Sequence, residues 1–219
     1  MADPEILRLE RAEAACDRGD FAAALREIMP LAEKGSSNAQ TLPGLLCTEG
    51  KSSKKELSRA VEWFRLAAEQ GNSDAQFNLA VSYDEGSGVV RKSSEAAKLY
   101  LLAAKKGDQR AQFNLGMLYC QGDGLSKNYK RALSWWLRAA VRGTARAQTD
   151  VGYMFQHGLG VKQDSKKANG WDRKAAAQRE PSAEFNLGIA YQEAETRGSI
   201  LQAASARILS QSYPRLLKN

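Results

Sequence analysis

Small and apolar residues return along this chain at a fixed interval. Ala39, Ala75, Ala111, Ala147 and Ala183 stand 36 residues apart, as do Ala24, Ala60, Ala96, Ala132, Ala168 and Ala204. Gly35, Gly71, Gly107 and Gly143 keep the same step. A period of this length, held by small residues, marks stacked supersecondary units. In the stretch from Asn72 to Gly107, Ala75, Leu79 and Tyr83 recur every four residues and so share one helix face. Asn72 or Ser73 can accept from the free N–H groups at its start. Gly86 and Gly88 end that helix, because glycine permits the positive φ of a turn. A second helix follows Ser93 and Ser94, with Ala96, Tyr100, Ala103 and Ala104 on its buried face. Lys105 and Lys106 sit where a helix C-terminus favours cations, and Gly107 closes the unit.

A pair of helices of about 13 residues each cannot bury its apolar stripes alone, but stacked neighbours can. The expected fold class is therefore all-α, a right-handed α-solenoid of stacked antiparallel helix pairs. The register divides the chain into an N-terminal capping pair (1–35), a degenerate repeat (36–71), and three repeats (72–107, 108–143, 144–179). A partial repeat with a capping helix (180–219) completes one continuous solenoid. The first pair turns tightly at Gly19-Asp20-Phe21. Alanine lets helices approach closely, and Trp63, Trp135 and Trp171, with Leu99 in the same column, are expected as large plugs opposite the alanines.

The second unit departs most from the pattern. Pro43 stands where Leu79 stands one unit later, and proline inside a helix costs about 3 kcal/mol. The helix from Asn38 is expected to kink or start late, with an irregular, mobile stretch between Pro43 and Lys55. That is either drift in a tolerant repeat or a bend that shapes a groove. Cys47 takes the place of Tyr83 as a small core residue. In the unit 144–179 the closing glycine is replaced by Arg179, Asp164 is placed to cap the second helix, and Pro181 suits the first turn of the next. Beyond it Ala194 and Gly198 blur the turn. Ile200, Leu201, Ala204, Ile208 and Leu209 form a stripe that either seals the core or meets a second copy.

The recurring pattern AQFNL-(A/G)-xx-Y-xx-GxG-(V/L), followed by A-xx-(W/L)-(Y/W)-xx-AA-xx-G, resembles the Sel-1-like repeat, a relative of the tetratricopeptide repeat. Ala75 to Gly107, Ala111 to Gly143 and Ala147 to Ala176 carry it most fully. The resemblance implies a protein–protein scaffold with first helices on the concave side and second helices on the convex side. It does not specify a task. A secreted, cysteine-rich branch of such repeats, linked to penicillin binding, carries paired cysteines in each unit. Cys16, Cys47 and Cys120 show no such pairing, and a disulfide framework is not expected.

Composition narrows the function classes. The chain of 219 residues is 43% hydrophobic, enough for a core, and no apolar run approaches the ~18 residues of a membrane span. Its start, MADPEILRLERAEAACDRGD, lacks a basic-then-apolar signal pattern. The expectation is a cytoplasmic protein, or a secreted or periplasmic one if a signal peptide has been removed. The net charge is +7, spread over loops and second helices as in Lys54, Lys55, Lys127, Lys130, Arg131, Lys166 and Lys167. Solvated outer faces account for such scatter. An acidic protein partner is the next reading, and nucleic acid the third. His157, the one histidine, has no ligand-spaced companions, so neither a metal nor a catalytic role is assigned to it. No GxSxG, HExxH or phosphate-loop motif occurs, and Gly86-Ser87-Gly88 and Gly158-Leu159-Gly160 follow helices rather than strands. No cofactor is expected, and a hydrolase of cell-wall or β-lactam type lacks a nucleophile–base set.

The candidate functional residues are those opposite the core face of each first helix. Asp74, Phe77, Val81 and Asp84 are followed one repeat on by Arg110, Phe113, Met117 and Cys120. Arg146, Thr149, Tyr153 and Gln156 come next, then Phe185, Ile189 and Gln192. Aromatic, flexible and cationic groups in one column suit capture of a peptide or helix, and Arg110 and Arg146 suit carboxylates. The alternative is that the phenylalanines pack on the neighbouring unit. Asn78, Asn114 and Asn186, with Asp150 in the fourth place, form a second column. Their amides can bind an extended backbone or bond between helices. The partner expected is another protein, and the chain itself a monomer or a homodimer through its C-terminal helix.

Overall fold

The computed structural model describes residues 4–49, 54–192 and 195–196, and every regular element among them is helical. The helices are α1 (Pro4–Asp17), α2 (Phe21–Glu33), α3 (Ser37–Glu49), α4 (Lys54–Glu69), α5 (Ser73–Glu85), α6 (Ser93–Lys105), α7 (Gln109–Gln121), α8 (Tyr129–Val141), α9 (Ala145–His157) and α10 (Ser165–Ala176). A further helix, α11, covers 181–192. The chain divides into two compact units between Ala139 and Ala140. In the first unit, packing runs in sequence from α1 through α7. In the second, α9 packs on α10. The expected capping helix from Ser199 to Tyr213 lies outside the described residues, as do Ala194 and Gly198.

The helix ends follow local chemistry. Asn72 Oδ1 accepts from Ala75 N at 3.0 Å, and Asp108 and Asp164 cap α7 and α10 in the same way. Gly86, Gly122 and Gly158 end α5, α7 and α9 in the left-handed region. Two other glycines are required by close approach. A Cβ on Gly88 would lie 2.3 Å from Leu57 O, and one on Gly124 2.3 Å from Ser93 C. Each of these turns thus rests on the first turn of the preceding repeat's second helix, a spacing that no side chain permits.

A buried column of glutamines joins consecutive pairs. Gln40, Gln76, Gln112 and Gln148 are buried, and their Nε2 groups donate to the carbonyls of Ala32, Ala68, Ala104 and Ala140 at 2.9–3.2 Å. Each adds a second donor to a carbonyl at the end of the preceding helix, which the N–H of the closing glycine also reaches at 2.9–3.1 Å.

The large plugs are one residue later than the tryptophan column predicts. Phe64, Tyr100 and Trp136 are 1%, 1% and 3% exposed, and Asp172, in the same column, is 4% exposed. Trp63, Leu99, Trp135 and Trp171 are half-buried. The reason is helical phase: position 100 turns the same way as Ala96, Ala103 and Ala104, and position 99 is rotated by about 100°. Trp135 and Trp171 instead lie under cations, with Arg138 and Lys174 at 4.7 and 4.3 Å from the ring centroids. Two of these plugs, Phe64 and Trp136, press on glycines of the first helices. A Cβ on Gly44 would lie 2.4 Å from the Phe64 ring, and one on Gly116 2.4 Å from Trp136 Nε1.

Pro43 neither delays nor interrupts its helix, correcting the expectation of a late start. α3 begins at Ser37 and runs through Pro43 to Glu49. The proline ring is fully buried, and that burial offsets the hydrogen bond it removes. The side chain of Cys47 lies outside the described residues, as do positions 50–53. Arg179, where the other units have glycine, keeps the left-handed conformation at φ 61°.

Candidate functional site

In the first unit the predicted residues sit on α5 and α7. Asp74 opens α5, and Arg110 reaches it from the start of α7, one repeat later. The guanidinium also bonds Asp108 Oδ2 at 2.6 Å, and its carbon lies 4.3 Å over the Phe77 ring. Asp108 in turn caps α7 through Ala111 N. Hydrogen bonds to Asp108 and Asp74 outweigh burial and hold Arg110 more firmly protonated than usual. Phe77 packs on Tyr100 with centroids 5.9 Å apart. Arg110 is thus both exposed and pre-positioned, a low-entropy donor fork.

Behind this surface runs a polar chain. Asn114 Nδ2 donates to the Tyr100 hydroxyl at 3.0 Å, and that hydroxyl lies 3.5 Å from Asp84 Oδ2. Burial pushes the Tyr100 phenol up, and the neighbouring acids Asp84 and Glu85 add to this. Burial raises Asp84, against the pull of Arg91. Arg91 in turn bridges to Asp123 of the next repeat. These contacts tie α5, α6 and α7 together, so the face they present is rigid.

One cleft of about 260 Å³ lies in front of this network. It is lined by Thr41, Leu42 and Leu45 of α3, by Asn72, Asp74 and Asn78 at the start of α5, and by Arg110. Of the residues predicted in this unit it gathers Asp74, Asn78 and Arg110. Phe77, Val81, Phe113, Asn114 and Met117 are half-buried outside its lining. Asn78 Nδ2 donates within its own helix to Asp74 O at 2.9 Å. Thr41, Leu42 and Leu45 were not singled out by sequence, because Pro43 made α3 look broken.

The second unit holds a separate cleft of about 220 Å³ between α9, α10 and α11. Its lining includes the predicted Tyr153, Asn186 and Ile189, together with His157, Asn169 and Asp172. Tyr153, Phe185 and Ile189 are exposed at 51%, 69% and 43%, whereas Thr149, expected to point away from the core, is buried. Its hydroxyl turns back to Ala145 O at 3.3 Å, which removes its polarity from the surface. Arg146 is exposed. Asn186 Nδ2 donates to Asp172 Oδ1 at 3.3 Å. Two of the three asparagines in the column, Asn114 and Asn186, therefore make bonds between helices. Burial raises the Asp172 carboxyl above the ordinary carboxylate range. Asp150 is pushed up to about 7 by burial and by Glu180, with Arg146 opposing. The signal for Asp172 in the sequence is that it is the one acid in the column Phe64, Tyr100, Trp136.

The Sel1 repeat family model matches residues 37–72, 73–108, 109–143 and 145–179. The chain belongs to the Sel1 repeat family. A Sel1 repeat protein from Oxalobacter formigenes is similar at 34% identity, over 82% of this chain and 74% of that one, with a TM-score of 0.75. A protective antigen of uropathogenic Escherichia coli strains with an SLR fold shares 30% identity over 87% of this chain, with a TM-score of 0.80. This chain spans 41% of that antigen's length. A putative Sel1 repeat protein from Klebsiella pneumoniae, at 20% identity and a TM-score of 0.53 over 85% of this chain and 90% of that one, shares the fold. No curated protein matches the chain. The Sel1 solenoid seen in these relatives agrees with the helix pairs and the 36-residue repeat described here. Sel1 repeat proteins are generally scaffolds for protein interaction rather than catalysts. Among the described residues no group of three or more His, Cys, Asp or Glu is arranged to hold a metal ion, and no helix is long and apolar enough to cross a membrane.

Proposed function

We propose that this Sel1 repeat protein is a non-enzymatic adaptor that holds a peptide or a segment of another protein along the face built by α3, α5 and α7. The observation that carries this reading is the cleft to which three successive repeats contribute. Leu42 and Leu45 offer apolar contact, and Asn72 and Asn78 are amides able to meet an extended backbone. Arg110 stands at its edge held by Asp74 and Asp108, so a partner carboxylate that displaces the exposed Asp74 meets a donor fork that is already oriented. Phe77, Val81, Phe113, Asn114 and Met117 form the half-buried support of this face. Arg146, Tyr153, Phe185, Asn186 and Ile189 offer a second contact area on the second unit.

The test is affinity capture from the native lysate at ~150 mM salt, a strength at which the Debye length is about 8 Å. The wild type is compared with an Asn78→Ala/Arg110→Ala variant, with and without nuclease. Circular dichroism confirms that the variant is folded. A discrete protein bound by the wild type and lost by the variant is the expected result. An unchanged partner set removes the groove from consideration. Material released by nuclease and steeply weakened by salt points instead to nucleic acid on the basic outer face.

A further inference from the structure

In the first unit the large side chains Phe64 and Trp136 fill the layer over Gly44 and Gly116. In the second unit the same layer holds Gly152 and Asp172, and a Cβ on Gly152 would lie 3.0 Å from Asp172 Oδ1. An aspartate is far smaller than a tryptophan, and here it lines the cleft of about 220 Å³ between α9, α10 and α11. At its floor is a carboxylate 4% exposed. Its hydrogen bond comes from a neutral amide, Asn186 Nδ2 to Oδ1 at 3.3 Å. Among the described residues no Lys, Arg or His pairs with it. A buried carboxylate without a cation is costly, and a repeat fold that places aromatic plugs at this position has an apolar solution at hand.

We propose that this cleft is a receptor for a single alkylammonium group, the side chain of a lysine on a partner protein. Asp172 is its counter-ion, and Tyr153, His157 and Ile189 form its rim. Three features select this ligand. The volume is below the ~300 Å³ at which drug-sized or cofactor pockets begin, and suits one side chain. Asn186 already occupies Oδ1, which leaves Oδ2 for one charged donor. An ammonium meets that need as a compact point charge, whereas a guanidinium fork asks for both oxygens. The rim supplies apolar and aromatic contact for a methylene stem: the Tyr153 and His157 rings lie 4.2 Å apart, and Ile189 is exposed beside them. Aromatic faces also attract a cation. Burial raises the Asp172 carboxyl, and a cation held against it would lower it again.

The site is distinct from the α3–α7 face, and each can fail without the other. The experiment titrates the full chain with N-acetyl-lysine methylamide and follows backbone and side-chain NMR resonances of Gly152, His157 and Asn186. N-acetyl-norleucine methylamide, which lacks the amine, and N-acetyl-arginine methylamide are run beside it. Saturable shifts with the lysine probe are expected. Binding should be at least about tenfold weaker for norleucine and for an Asp172→Asn variant, the loss that goes with a hydrogen bond to a charged group. Asn keeps the shape of Asp and removes the buried charge, so the variant is expected to fold. Norleucine tests the same charge from the ligand side on wild-type protein. No saturable shift with lysine, an equal response to norleucine, or tighter binding of arginine each overturns the proposal.

Discussion

Two glycines in helix interiors make the packing quantitative, because the same substitution should act on them with opposite sign. Gly116 lies in α7 and Gly170 in α10, and neither has a positive φ. Alanine in place of a helical glycine gains about 1 kcal/mol from propensity alone. At Gly170 a Cβ meets nothing within 4 Å, so that gain should stand. At Gly116 the Cβ would lie 2.4 Å from Trp136 Nε1 and 2.5 Å from its Cδ1. The indole has no easy retreat. It is 3% exposed, and its N–H donates to Phe113 O at 3.0 Å across the same spot. Overpacking costs about 1–3 kcal/mol, and orphaning the buried N–H costs about 1–3 kcal/mol more. Set against the propensity gain, Gly116→Ala should lose roughly 1–5 kcal/mol. In a chain of this length each kcal/mol moves the melting temperature by about 2–4 °C. Thermal unfolding followed by circular dichroism should show Gly170→Ala rising by a few degrees and Gly116→Ala falling by at least about 2 °C. A Gly116→Ala protein as stable as Gly170→Ala would refute the claim that the plug of this layer is Trp136 rather than Trp135.

Three further outcomes follow from the same contacts. Arg179 holds φ 61°, a conformation costing a non-glycine residue about 1–2 kcal/mol, so Arg179→Gly should raise the melting temperature, and a fall would show that its side chain has a compensating role. Asp150, at about 7 in the folded protein and 3.8 ordinarily, keeps its proton on folding, so its contribution is favourable below about pH 4 and is lost as pH rises to about 7. At about 1.4 kcal/mol per unit, discounted for partial exposure, Asp150→Asn should gain roughly 2–4 kcal/mol over wild type at pH 8 and almost nothing at pH 4; equal denaturant midpoints at both values would contradict this. Gln112→Ala removes the Nε2 bond to the Ala104 carbonyl, which keeps the Gly107 N–H, and should cost about 0.5–1.5 kcal/mol, measurable in urea, whereas no cost would mean that the Gly107 bond alone suffices.

Whatever depends on near neighbours in the chain is legible in the sequence alone. The 36-residue period, the caps at Asn72 and Asp164, the left-handed glycines after α5, α7 and α9, and the Sel1 identity all rest on interactions within a few residues, repeated in register. What the sequence left open depended on which surface another helix would cover. Trp135 and Trp136 are adjacent and equally apolar, and packing against Gly116 makes Trp136 the plug while Trp135 lies under Arg138. Nothing in the sequence marks Gln76 and Gln112 as buried; the fold brings a carbonyl of the preceding helix to their amides. Leu42 and Leu45 face an open cleft because α3 runs on through Pro43. Asp172 shares its column with three aromatics, and only the fold sets it at the floor of a cleft with Asn186 for company. Local backbone preference writes the repeat into the sequence, whereas the choice of buried face and of paired groups is made between segments distant along the chain.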